Sequence, residues 1–126
     1  LSNQWTEADS SQFLRFSEVI TPSRREQMSI LVSLIPGEPD ERFQVVELGH
    51  GGGEWGTSVL SHFTSALYLG LDGSDIMRET AAKKLSPFAD RVALQPFSLA
   101  EGTWRQQLPR PLRCVFSSLV VHHLDD

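Results

Sequence analysis

Between residues 45 and 56 an apolar run passes directly into glycines: Val45-Val46-Glu47-Leu48-Gly49-His50-Gly51-Gly52-Gly53-Glu54-Trp55-Gly56. Four of the five residues from 49 to 53 are glycine. Each carries a conformational-entropy cost that a plain turn would not require, so the backbone there needs positive φ or close approach to a ligand. A buried strand, a glycine turn and the start of a helix place unpaired N–H groups at one point, where a bound group can meet them. This stretch restricts the chain to folds in which a strand feeds a helix through a ligand-binding loop.

The rest of the chain alternates accordingly. Phe13, Phe16, Val19 and Ile20 fall at helical spacing, and Thr21-Pro22 offers a cap followed by a helix-opening proline. Met28, Leu31, Val32 and Ile35 continue at helical spacing until Pro36-Gly37. Residues 1–40 are therefore expected to form an N-terminal segment of two amphipathic helices. Residues 41–126 should form part of a Rossmann-like domain, with strands at 43–48, 66–71, 91–97 and 112–119. Helices are expected at 54–63, at 75–85 behind a Ser74 cap, and near 100–108. The predicted class is α/β: a doubly wound parallel sheet, first four strands in the order 3-2-1-4, helices on both faces. Strand one then borders the switch point where such sheets bind ligands. The run Val115-Phe116-Ser117-Ser118-Leu119-Val120-Val121 is too apolar for a comfortable sheet edge, which predicts a truncated domain or a homo-oligomer formed through strand four.

Composition narrows the function classes. The net charge is -5, without a Lys/Arg cluster, so a nucleic-acid partner is not expected. No apolar run approaches the ~20 residues of a membrane span, and the N-terminus has no signal-peptide layout. Cys114 is the single cysteine. Within Cys114-Val115-Phe116 it reads as a buried inert thiol, consistent with a cytoplasmic location.

Two acids bear on the ligand. Gly51-Gly52-Gly53-Glu54-Trp55-Gly56 matches the dinucleotide fingerprint G-x-G-x-x-G, but begins two residues past the strand end at Gly49. In register with that end, Glu54 stands where the third glycine belongs, and a carboxylate there would repel a pyrophosphate. Glu47 suits instead a ligand with a cationic end, such as an ammonium beside a sulfonium. Asp72, closing strand two, can accept hydrogen bonds from both hydroxyls of an adenosine ribose, a property shared by both ligand classes.

At these residues the chain resembles the class I S-adenosylmethionine-dependent methyltransferases. Glu47-Leu48-Gly49-His50-Gly51-Gly52-Gly53 is similar to that family's acid-Leu-Gly-Cys-Gly-x-Gly loop, with His50 in place of the common Cys. Leu69-Gly70-Leu71-Asp72-Gly73-Ser74 resembles the motif whose acid holds the ribose, and Phe97-Ser98-Leu99-Ala100 the segment that touches adenine. Ser117-Ser118-Leu119-Val120-Val121-His122-His123-Leu124 resembles the fourth-strand segment of small-molecule-type bacterial members. The resemblance implies S-adenosylmethionine as cofactor, S-adenosylhomocysteine as product and a small-molecule acceptor. It implies a cofactor site of Glu47, Leu48, Gly49, His50, Gly51, Gly53, Asp72, Gly73, Ser98, Leu99, Ser117 and Ser118. Ser98 replaces the common Asp, exchanging a charged adenine acceptor for a hydroxyl. Arg113 replaces another Asp in a structural position, and His50 is expected to contribute backbone only.

No catalytic residue is assigned and no metal is expected. His122 and His123 on an extended segment point to opposite faces and rarely reach one ion. His123 reads first as a packing residue, His62 as a surface residue, Trp5 and Trp104 as core or domain-edge aromatics. Arg24-Arg25 reads as a solvated pair. Two rivals stay open: a nicotinamide-dependent oxidoreductase fragment, and a non-catalytic scaffold that pairs with another chain.

Overall fold

The computed structural model describes residues 6–20 and 24–117. Two helices come first, α1 (Glu7–Ile20) and α2 (Arg24–Leu34). Thr6 opens α1 reciprocally: its hydroxyl accepts from the Asp9 N–H at 3.1 Å, and Asp9 Oδ2 accepts from the Thr6 N–H at 2.9 Å. Then follow β1 (Gln44–Leu48), α3 (Glu54–His62), β2 (Leu67–Leu71), α4 (Asp75–Lys84), β3 (Val92–Gln95) and β4 (Cys114–Ser117). Ser74 caps α4 as expected, its hydroxyl accepting from the Met77 N–H at 3.1 Å. Among the described residues no helix is long and apolar enough to cross a membrane.

The four strands are parallel and ordered β3-β2-β1-β4, the order the sequence predicts. β1 lies inside, with Glu47 opposite Gly70 on β2 and Phe116 on β4. Alternation along the strands divides the core. Val45, Tyr68 and Phe116 pack with Val59, Leu60, Phe63, Ala81 and Leu85, supplied by α3, α4 and their ends. Val46, Leu69 and Leu71 form a smaller cluster on the opposite face, with Phe97, Trp104, Leu108 and Leu112.

Coverage of that second face differs from expectation. The helix predicted near residues 100–108 is two short 3-10 segments, Leu99–Glu101 and Thr103–Gln107. Gly102, at φ 60°, takes a left-handed conformation that ends the first segment before an α-helix can propagate. Val115 on β4 is correspondingly 44% exposed. Arg113 has the structural role anticipated: it donates to the Pro36 carbonyl at 2.6 Å and pairs with Glu41 at 2.5 Å.

Candidate functional site

The turn after β1, beside the end of β2, holds three of the four positive-φ glycines among the described residues. Gly49, Gly51 and Gly53 take φ of 69°, 57° and 92°. The last two need glycine for different reasons. A Cβ at Gly53 would lie 3.2 Å from the Ala81 backbone and side chain, so this glycine lets the loop pack on α4. A Cβ at Gly51 would meet nothing within 4 Å. There only the backbone conformation demands glycine, and the loop faces open space.

Asp72 holds this loop in place. One carboxylate oxygen accepts from the Gly51 N–H at 2.9 Å and the other from the Ser74 N–H at 2.9 Å. Arg78 donates to the Asp72 carbonyl at 2.6 Å, fixing the main chain beneath. An ionised carboxylate offers about four lone-pair sites, so each oxygen retains capacity for another donor. The site therefore joins a preset loop to a half-buried acceptor that can still receive two hydroxyls.

Beneath the loop, Glu47 is 0% exposed. Its Oε1 is 2.5 Å from the Tyr68 hydroxyl, and its Oε2 has no partner. Burial pushes the Glu47 carboxyl well above its ordinary range; the Tyr68 hydrogen bond opposes this and the nearby Asp72 charge adds to it. Tyr68 fits because Gly56 of α3 leaves room: a Cβ there would lie 2.9 Å from the tyrosine ring. His50, expected to contribute backbone only, is just 2% exposed, so its imidazole is packed into the fold. Gly70 opens the space, since a Cβ there would stand 2.8 Å from the His50 ring. Nδ1–H donates to the Gly51 carbonyl at 2.7 Å, leaving buried Nε2 as an acceptor without a partner. Desolvation lowers the His50 pKa, with the Asp72 charge acting against it, so the ring is held neutral.

The N-terminal helices close over these elements. Glu7 of α1 accepts from the Asp75 N–H at 2.7 Å, the Ile76 N–H at 3.2 Å and the Ser74 hydroxyl at 2.8 Å, capping α4 from a distant segment. Leu14 of α1 lies 2.8 Å from where a Cβ on Gly52 would be. Arg24 forms an ion pair with Glu54 and lies over the Phe13 ring, so it is not half of a solvated pair. Glu54 stays at the start of α3, where a pyrophosphate would have to bind.

Beside Gly73, at the end of β3, lies an open hollow lined by Phe97, Ser98, Glu101, Thr103 and Trp104. Phe97 and Trp104 meet edge to face with ring centroids 5.9 Å apart. A Cβ on Gly73 would come within 2.9 Å of the Phe97 carbonyl, so glycine lets the chain leaving β2 approach the chain leaving β3.

No family model matches the chain. The ribosomal RNA small subunit methyltransferase H of Prochlorococcus marinus (strain NATL1A) is 29% identical over 94 residues, which are 73% of this chain and 30% of that protein. Among solved structures, a candidate S-adenosyl-L-methionine-dependent methyltransferase of Methanococcus maripaludis covers 100% of this chain with a TM-score of 0.72 at 14% identity. The chain has the class I methyltransferase fold. The CurJ carbon methyltransferase shares it over 90% of this chain, at TM-score 0.71 and 14% identity. The mitomycin 7-O-methyltransferase MmcR does so over 90%, at 0.61 and 17%. This chain spans 57%, 33% and 35% of those three structures.

Within this methyltransferase fold the predicted site residues lie at the carboxyl end of the sheet. Ser98 and Leu99 follow β3, Asp72 and Gly73 follow β2, Glu47 and Leu48 close β1 with Gly49 to Gly53 after them, and Ser117 ends β4 opposite Leu48. Ser118, Trp5, Thr21-Pro22 and the His122-His123 pair fall outside the described residues. His62 is exposed, as expected of a surface residue, and Trp104 packs in the second core cluster. Sequence reasoning missed Tyr68, Glu7 and Glu101. Tyr68 could have been found from the predicted strand order, which sets β2 beside Glu47. Glu7 carries no signal, because its contact spans 67 residues.

Proposed function

We propose that this chain is the cofactor-binding part of an S-adenosylmethionine-dependent methyltransferase with a small-molecule acceptor. The observation that carries the reading is the Asp72 carboxylate, bonded to the Gly51 N–H at 2.9 Å within a positive-φ loop that opens to space. The chain's donors and acceptors fit the cofactor along its length. The loop from Gly49 to Gly53 would hold the methionine end, with the unpartnered Oε2 of Glu47 behind it. Asp72 would receive the ribose hydroxyls. Ser98 and the Leu99 N–H would meet adenine in the hollow beside Gly73.

When bound, the cofactor supplies an electrophilic methyl on a sulfonium, leaving S-adenosylhomocysteine as product. The chain's own part is orientation: a preset loop and a braced ribose acceptor fix where the methyl points, the source of most rate in such transfers. No described side chain is assigned as a base. The net charge of -5 disfavours a polyanionic acceptor, and the carbon- and O-methyltransferase neighbours support a small one. Glu54 at the head of α3 is paired with Arg24, so the nicotinamide dinucleotide alternative is decided by titration.

Calorimetric titration of S-adenosylhomocysteine and of NAD into the chain tests the reading. Binding of the first alone is the expected outcome. Binding of NAD alone would overturn it, and silence from both in a folded sample would favour a scaffold.

A further inference from the structure

Helix α1 reaches Asp72 through one residue, Ser74. The Ser74 N–H donates to Asp72 Oδ1 at 2.9 Å, and the Ser74 hydroxyl has no capacity left. That hydroxyl donates to Glu7 Oε2 at 2.8 Å and accepts from the Met77 N–H at 3.1 Å and the Ser10 hydroxyl at 2.8 Å. Two of these three partners, Glu7 and Ser10, belong to α1. Glu7 also takes the Asp75 N–H on Oε1 and the Ile76 N–H on Oε2. The Ser74 hydrogen bond, helped by the two N–H groups and outweighing desolvation, holds the Glu7 carboxyl below its ordinary range. It is therefore ionised at neutral pH.

The donors that Glu7 takes need an acceptor, because the first turn of a helix has no carbonyl to offer them. Two other carboxylates are close in the chain. Asp75 is engaged by Arg78. Asp72 lies two residues ahead of Ser74 and keeps lone pairs beyond its bonds to the Gly51 and Ser74 N–H groups. With Glu7 gone, the Asp75 and Ile76 N–H groups would draw on that remaining capacity.

We propose that Glu7 is a positioning residue for the ribose site: it satisfies the donors at the head of α4 and so leaves the Asp72 carboxylate open to ribose hydroxyls. The inference rests on the cofactor reading above. Glu7 acts through Ser74 and Asp72 rather than by touching the ligand. The same helix sets Leu14 against Gly52 of the loop, so α1 braces both sides of the site. Docking of the N-terminal helix thereby becomes part of ligand selection.

The test compares S-adenosylhomocysteine with its 2′,3′-dideoxy analogue, titrated by calorimetry into wild type, Glu7→Ala and Glu7→Gln. The analogue lacks both ribose hydroxyls and keeps the base, the thioether and the amino acid end. Wild type should prefer S-adenosylhomocysteine at least ~100-fold, the worth of two charge-assisted hydrogen bonds. Glu7→Ala should bind the analogue as wild type does and S-adenosylhomocysteine about tenfold more weakly, because one bond to Asp72 is lost to the helix N–H groups. Glu7→Gln keeps the side chain's size and one acceptor oxygen, and its preference should fall between the two. A merely structural role for Glu7 would weaken both ligands equally. Equal weakening, or a preference unchanged in both variants, overturns this inference while wild-type binding leaves the cofactor reading standing. If wild type binds neither ligand, or both alike, the ribose role of Asp72 fails and takes this inference with it.

Discussion

The two halves of the site share the carboxyl end of the sheet and are built differently. At β1 and β2 the backbone is preset: positive-φ glycines, Asp72 bonded to two N–H groups, buried Glu47 and His50 beneath, and α1 docked above. At β3 the hollow is framed by two short 3-10 segments around Gly102, and Ser98 and Glu101 are exposed. A preset backbone gives affinity for what every ligand of the class shares. Exposed side chains on short turns can change without cost to the fold, so a selectivity role would fall to that half.

Asp72→Ala should break the contrast most severely. It removes the proposed ribose acceptor and the brace on Gly51 and Ser74, so S-adenosylhomocysteine should bind at least ~100-fold more weakly by calorimetry, the worth of two charge-assisted hydrogen bonds. Next are the glycines. Gly53→Ala combines φ 92° with a 3.2 Å approach to Ala81. It should cost about 2–3 kcal/mol in urea denaturation, against about 1 kcal/mol for Gly51→Ala, which meets only backbone strain. Equal losses would remove the distinction between the packed and the open glycine.

The buried acid makes a pH prediction. The folded pKa of Glu47 lies above its unfolded value near 4.5, so the folded state binds the extra proton. Its contribution to stability is complete below about pH 4.5 and is lost as pH rises through the folded value. Glu47→Gln should therefore gain stability relative to wild type as pH rises through that window, read as the difference between denaturation midpoints at each pH. His50 acts in the opposite sense: its folded pKa is lowered from 6.5, so stability is lost as pH falls below that value. It is common to both proteins and cancels in the difference. The smallest effect belongs to the open half, where Ser98→Asp alone should tighten S-adenosylhomocysteine binding about fivefold, on the order of 1 kcal/mol.

Much of this was legible in the chain. Glycine clustering after an apolar run marked the loop, alternating periods marked the parallel sheet, and right-handed crossovers in a doubly wound pattern set the strand order. What depended on the neighbouring strand was not legible. Glu47 looked like an acid facing the ligand, and it is buried against Tyr68 because Gly56 leaves a slot for that ring. His50 was expected to contribute backbone only, and its ring is buried where Gly70 has no side chain. The helix expected near residues 100–108 failed at Gly102, whose left-handed conformation the apolar spacing could not reveal. Glu7 reaches α4 across the fold with no local pattern to announce it.

A crystal structure of the chain with S-adenosylhomocysteine bound tests the central claim most directly. The account predicts both ribose hydroxyls within hydrogen-bonding distance of the Asp72 carboxylate, with the thioether over the loop from Gly49 to Gly51. A ligand seated elsewhere, with Asp72 still holding only the Gly51 and Ser74 N–H groups, would contradict it.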